Sequence, residues 1–176
     1  MRQEAARRLV PMTETRWLSP EEREAWLALV SIMFTLPGSI ESQLQAEADL
    51  SLAEYLVLAM LSEAPDRRRR MSDLAAATNT SQSRLSRIVA RLERDGLVVR
   101  TGDDRDKRVV LAEITERGLE KVQEVAPGHV DHVRRTVFDR LTPEQVRQLA
   151  LIGRVVDDTA GPGVMGVASP RGDLQG

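Results

Sequence analysis

From Pro20 to Thr159 the apolar side chains recur at helical spacing almost throughout. The rhythm breaks once, between Leu97 and Ile114, into two short β-branched runs. Apolar residues three and four apart share one stripe of a helix, whereas short β-branched runs bounded by turn formers read as strands. The pattern predicts helices near 20–48, 52–63, 72–78, 82–95, 115–139 and 143–159, and strands at 97–101 (LVVRT) and 108–114 (RVVLAEI). Three helix starts carry their own punctuation: Ser19-Pro20-Glu21-Glu22, Ser51-Leu52-Ala53-Glu54 and Thr142-Pro143-Glu144-Gln145. Each sets a hydroxyl at the cap and a Glu or Gln three residues on, so that two otherwise unpaired backbone N–H groups find acceptors. Gly96 stands where a left-handed cap would end the fourth helix. Pro37 cannot donate to the Met33 carbonyl, which predicts a kink or break in the first.

This order of elements, mostly helical with one hairpin, places a helix, a polar turn (Asn79-Thr80) and a second helix directly before two strands. Within the second helix, Leu85, Ile88, Val89 and Leu92 share a stripe and are expected in the core. At 100° per residue, Ser83, Arg87 and Ala90 lie opposite, flanked by Arg84, Ser86 and Arg91. The outward N-terminal half therefore offers hydroxyls, Gln82 and guanidinium groups. Arg bridges the O6 and N7 atoms of guanine, Gln bridges adenine, and Ser reaches base or phosphate. Free N–H groups at Ser81, Gln82 and Ser83 would add a phosphate site. Any surface helix also shows a polar face with scattered Arg, so the position of this one beside a hairpin is what favours a winged helix-turn-helix.

Charge sharpens the picture. The 176 residues carry a net charge of −2, which alone argues against a nucleic-acid partner. Residues 67–108 nevertheless hold 12 basic and 6 acidic side chains, a net of +6, against −6 for residues 1–66 (5 basic, 11 acidic) and −2 for residues 109–176 (8 basic, 10 acidic). One basic block between acidic flanks is the footprint of a region that meets phosphate. Its hairpin tip, TGDDRDKR, mixes the two signs. An Arg-rich tip can enter a minor groove, and a nearby aspartate can hold a guanidinium ready before DNA arrives. Asp103 is expected to orient Arg105 as the inserted side chain, with Lys107 and Arg108 on phosphates. Asp104 and Asp106 cap the net charge of the wing and limit indiscriminate binding, or belong to a solvated turn with charge pairs of little energetic value. The run Arg67–Arg70 reads as a loop between helices, solvated or brushing the DNA backbone.

Other classes fit less well. Cysteine is absent, which removes disulfides, thiolate catalysis and thiol sensing. The only histidines, His129 and His132, are three apart on one helix with no third ligand in view, so no metal site or cofactor is expected and surface or interface positions are favoured. No enzyme constellation emerges. No apolar run reads as approaching the ~18 residues that span a bilayer, and nothing at the start suits a signal peptide. The expectation is a cytoplasmic protein without a membrane partner.

The chain resembles the MarR family of winged-helix regulators. The wing pattern Asp-x-Arg-Asp-x-Arg, a strand, then Leu-Thr and Gly is met by Asp103, Arg105, Asp106, Arg108, Ile114-Thr115 and Gly118, with Ile114 where Leu is usual and Asp104 where Pro is frequent. The likeness extends over about residues 18–158, including YLVLAMLSEAP and MSDLAAATNTSQSRLSRIVARLERDGLV. It implies an obligate homodimer, paired through its first helix and last two helices, a pseudo-palindromic double-stranded DNA operator and a small-molecule effector. The resulting layout is a flexible tail at 1–18, a dimerisation helix at 19–49, the winged helix-turn-helix at 50–114, dimerisation helices at 115–159 and a disordered tail at 160–176. Met12 is an alternative start. Trp26, Met33, Phe34, Tyr55 and Met60 could line an effector pocket or simply belong to the core. A repressor of a nearby operon is the leading reading. A winged-helix adaptor without DNA affinity is the alternative, and the Arg array at 84, 87, 105 and 108 speaks against it.

Overall fold

The computed structural model describes residues 15–103, 106 and 108–160. Its elements are α1 (Pro20–Ala48), α2 (Leu52–Ser62), β1 (Arg68–Arg70), α3 (Met71–Ala77), α4 (Gln82–Arg94), β2 (Val98–Gly102), β3 (Val110–Ile114), α5 (Glu116–Thr136) and α6 (Pro143–Ala160). Single 3₁₀ turns precede β1 (Pro65–Arg67) and follow α5 (Phe138–Arg140). By internal contacts the chain forms two units, one ending at Thr35 and the other beginning at Leu36.

All three capping sequences close as expected. The backbone N–H of Ser19, Ser51 and Thr142 donates to Glu22, Glu54 and Gln145, and the hydroxyls accept in return from the N–H groups of Glu22, Glu54 and Gln145. Of the kink or break expected at Pro37, the break does not occur, and one helix runs through it. Proline removes a single hydrogen bond there, and an exposed carbonyl can turn to water instead. Contrary to the expectation from sequence, this helix holds a long apolar stretch. Residues 25–40 carry no charge, interrupted only by small polar residues, Pro and Gly. α1 is therefore long and apolar enough, by length and composition, to cross a membrane, with an 18-residue window of mean hydropathy 1.3, none of it buried. Along its first part Trp26, Leu27, Leu29, Ile32, Met33 and Phe34 are exposed.

The core lies in the second unit. Leu44, Val57, Leu58, Leu61, Leu74, Leu85, Val89, Leu92 and Val98 are fully buried. α2 supplies its centre, and α3, α4 and the inner face of a three-stranded antiparallel sheet close over it. Strand order is β1-β3-β2. β1 differs from expectation: the arginine run, expected as a loop, pairs with β3, Arg68 opposite Glu113, Arg69 opposite Ala112 and Arg70 opposite Leu111. Three arginines carry no strand pattern of their own, and the strand exists because β3 has an edge to fill.

α5 packs back on this unit with two histidines partly inside. His132 shares a 2.9 Å hydrogen bond with Ser39, and the His129 ring lies 4.5 Å from Tyr55, centroid to centroid. Burial, and then the nearby His132, hold His129 below the ordinary histidine range. The folded chain thus prefers the neutral ring, and the unfolded chain takes the proton first as pH falls. Stability present above about 6.5 is expected to be lost as pH drops through the folded value. His129→Phe keeps the ring contact with Tyr55 and should flatten the denaturation midpoint between about pH 7 and 5. An unchanged slope would assign the acid sensitivity to other groups.

Candidate nucleic-acid interface

α3 and α4 are joined by a tight polar turn. Asn79 takes a left-handed conformation (φ 45°), and the Thr80 N–H bonds back to the Ala75 carbonyl at 2.9 Å. Asn tolerates that conformation better than most residues, so the turn costs little and aims α4 outward. Ser81 caps α4, its hydroxyl accepting from the Arg84 N–H at 3.3 Å and lying 3.2 Å from the Ser83 hydroxyl. As at any helix start, the N–H groups of Gln82 and Ser83 have no intrahelical acceptor. Leu85, Val89 and Leu92 are buried, Ile88 packs on them, and Ser81, Gln82, Ser83, Arg84, Ser86 and Arg87 are exposed together on the outer side. Gly96, with φ 72°, ends the helix in the left-handed cap, and the Leu97 N–H bonds to the Leu92 carbonyl at 2.9 Å.

Arg91 stands apart from that group. Its Nε lies 3.2 Å from Oε1 of Glu54, a carboxylate only 4% exposed, and its Nη2 lies 3.9 Å from Asp49. The same Glu54 accepts from the Ser51 N–H and hydroxyl in the cap of α2. Without Arg91 a buried carboxylate would lose its counter-charge, which is costly. Arg91 therefore ties α4 to α2 and is directed toward the protein, where the sequence had grouped it with the DNA-facing residues. Helical phase alone placed it beside the outer face, and a long side chain can turn back from there.

β2 and β3 form the wing. Between them the Asp103 N–H bonds to the Val109 carbonyl at 3.1 Å, and Asp103 Oδ1 accepts from the Asp106 N–H at 3.3 Å. Asp106 in turn accepts from Arg108 three times: Oδ1 from its backbone N–H at 3.0 Å and Nε at 3.1 Å, and Oδ2 from Nη2 at 3.3 Å. Those bonds from Arg108 hold the Asp106 carboxyl below the usual carboxylate range. Asp106 thus orients the guanidinium of Arg108, whose side chain is 91% exposed. Arg105 and Lys107 lie outside the described residues. β1 also comes to this end of the sheet, where the Arg70 charge acts on Asp106.

Of the residues first considered for an effector, Trp26, Met33 and Phe34 are exposed on α1, Tyr55 is buried and Met60 packs partly buried on the core. Among the described residues no group of three metal-ligating side chains occurs. A side chain with no evident role in the sequence is Arg100 of β2. Its pairing with Ala112 puts it on the same sheet face as buried Val98 and Ile114. Period-two alternation from Val98 was the available signal.

A helix-turn-helix whose second helix presents a polar N-terminal face, followed by an arginine-bearing hairpin, defines a winged helix-turn-helix of the DNA-binding class. Residues 48–109 match a family model described as MarR family. The solved structure of Sco3205, a MarR family transcriptional regulator from Streptomyces coelicolor in complex with DNA, is 42% identical, with 83% of this chain and 95% of that one covered at a TM-score of 0.80. AbsC, a MarR family transcriptional regulator from the same organism, is 39% identical over 84% of this chain and 100% of that one, TM-score 0.77. The HTH-type transcriptional repressor YetL of Bacillus subtilis (strain 168) is 30% identical over 59% of this chain, a match spanning 62% of YetL, under two thirds of its length. This chain belongs to the MarR family, whose members are transcriptional regulators and not enzymes.

Proposed function

We propose that this protein is a homodimeric, sequence-specific double-stranded DNA-binding transcriptional regulator, cytoplasmic, and a repressor of a nearby operon released by a small-molecule effector. The observation that carries the reading is the shared outer face of Gln82, Ser83, Arg84, Ser86 and Arg87 beside the wing, in a chain 42% identical to a regulator crystallised on DNA. Gln82, Arg84 and Arg87 would meet base edges and Ser81, Ser83 and Ser86 phosphate or base. Arg105 at the wing tip would enter the minor groove, with Lys107 and Arg108 on phosphates. Repression follows the YetL likeness. Trp26, Met33, Phe34, Tyr55 and Met60 are the residues proposed for the effector. A second copy would cover the exposed apolar side chains of α1 and of α6, where Leu149, Leu151, Ile152 and Val155 face outward, and would set two recognition helices about one DNA turn, ~34 Å, apart.

Fluorescence anisotropy on duplex from upstream of the protein's own gene, against scrambled duplex and across a salt series, tests the reading. Selective binding with a steep salt slope is expected. Binding that ignores sequence, with no consensus from a random-duplex selection, would leave the adaptor. Arg87→Ala should weaken operator binding by about 1–3 kcal/mol and relax the preference at one base position. A uniform loss across all sequences would make Arg87 a phosphate contact.

A further inference from the structure

Arg100 is a charged residue on the core-facing side of the sheet, and its hydrogen bonds lead to the recognition helix. Its Nη2 donates to the Ser86 carbonyl at 2.7 Å. Its Nη1 lies 3.2 Å from Oε2 of Glu93, and its backbone N–H donates to Oε1 of the same carboxylate at 3.1 Å. Ser86 and Glu93 are seven residues apart, so they fall on one side of α4 about 10 Å apart along its axis. One guanidinium from the wing strand therefore grips the recognition helix at two levels. A packed apolar face resists separation of helix and sheet but resists sliding less well. Two directional bonds at fixed heights resist both sliding and rotation.

The Ser86 carbonyl lies within the segment whose side chains form the outer polar face, whereas Arg100 itself is turned inward and only partly exposed. We infer that Arg100 is a positioning residue for sequence discrimination: it sets the height of α4 against the wing strand, so that the major-groove helix and the minor-groove tip engage one duplex in register. The inference rests on the DNA-binding reading and adds a determinant that touches no nucleotide. A rigid spacing matters because base-edge hydrogen bonds are directional and are lost when donor and acceptor move apart by more than about half an ångström or out of line, whereas phosphate attraction tolerates such shifts.

The test compares wild type, Arg100→Gln and Arg100→Lys as full-length proteins by anisotropy, on the selected operator and on scrambled duplex, over a salt series and well below each melting temperature. Lysine keeps the charge for Glu93 but is a single point and cannot reach both acceptors as a fork does. The ratio of operator to scrambled affinity should fall roughly 10-fold in the Gln variant, the size of one good base contact. The Lys variant should fall between, and both should keep the wild-type salt slope and scrambled-duplex affinity. A merely structural role would lower the melting temperature and leave that ratio intact, which overturns the inference alone. A salt slope lower by about one would make Arg100 a phosphate contact and overturns it equally. A wild type that shows no discrimination overturns the DNA-binding reading itself, and the inference with it.

Discussion

Gly118→Ala is expected to destabilise the fold by about 3 kcal/mol, near the upper end for overpacking. A Cβ at this position would overlap the Leu97 carbonyl oxygen and come within 3.0 Å of its carbonyl carbon and 2.7 Å of Ile114 Cγ1. Two of those obstacles are backbone, and neither can rotate away. The Leu97 carbonyl is moreover held in place, accepting the Thr115 N–H at 3.0 Å. Thr115 caps α5, its hydroxyl accepting from the Gly118 N–H at 3.0 Å and donating to the Gly96 carbonyl at 2.8 Å. The first turn of α5 therefore lies directly on the chain that leaves the recognition helix, and only a residue without a side chain permits it. Urea denaturation should show a lower midpoint with an unchanged slope. A loss under about 1 kcal/mol would mean that α5 can lift off without disturbing the core, and that the glycine is not what seats it.

The same residue shows where the sequence was informative and where it stopped. Gly118 stood out only through the family pattern. Nothing in its neighbours announces a close approach to Leu97, because the approach is tertiary. The caps at Ser19, Ser51 and Thr142, the buried stripe of α4 and the left-handed Gly96 were readable because each is settled within about one helical turn. β1 was not, since Arg68–Arg70 become a strand only against β3. Arg91 and Arg100 were assigned by the direction of their Cα–Cβ bonds, or left unassigned, while their guanidinium groups travel several ångströms farther to Glu54 and Glu93. Long cations make phase a poor guide to destination. At the wing tip Asp106 holds Arg108, a pair the sequence reading did not single out, while the expected pair of Asp103 with Arg105 involves a residue outside those described. Two-residue spacing of an aspartate and an arginine occurs more than once in that stretch, so spacing alone does not single out one pair.

The largest functional effect is expected from α6, in the double variant Ile152→Asp/Val155→Asp. In the single chain these side chains are 59% and 61% exposed, and no residue of α6 is buried among those described. Charging them therefore removes little packing within one chain, and the melting of an isolated monomer should hardly change. In the proposed homodimer the same positions would be covered. Two-fold symmetry places every introduced carboxylate in the interface twice, and an unpaired charge buried against apolar surface costs several kcal/mol. The variant is expected to sediment as a monomer where the wild type sediments as a dimer. Operator affinity should then fall by 100-fold or more, because the second half-site loses the high effective concentration that linkage supplies. Affinity for scrambled duplex should fall far less, since each monomer keeps its basic face. A variant that stays dimeric would place the interface elsewhere than α6. A monomer that still binds the operator with full strength would mean that a single winged unit reads the whole site, and that pairing serves some purpose other than recognition.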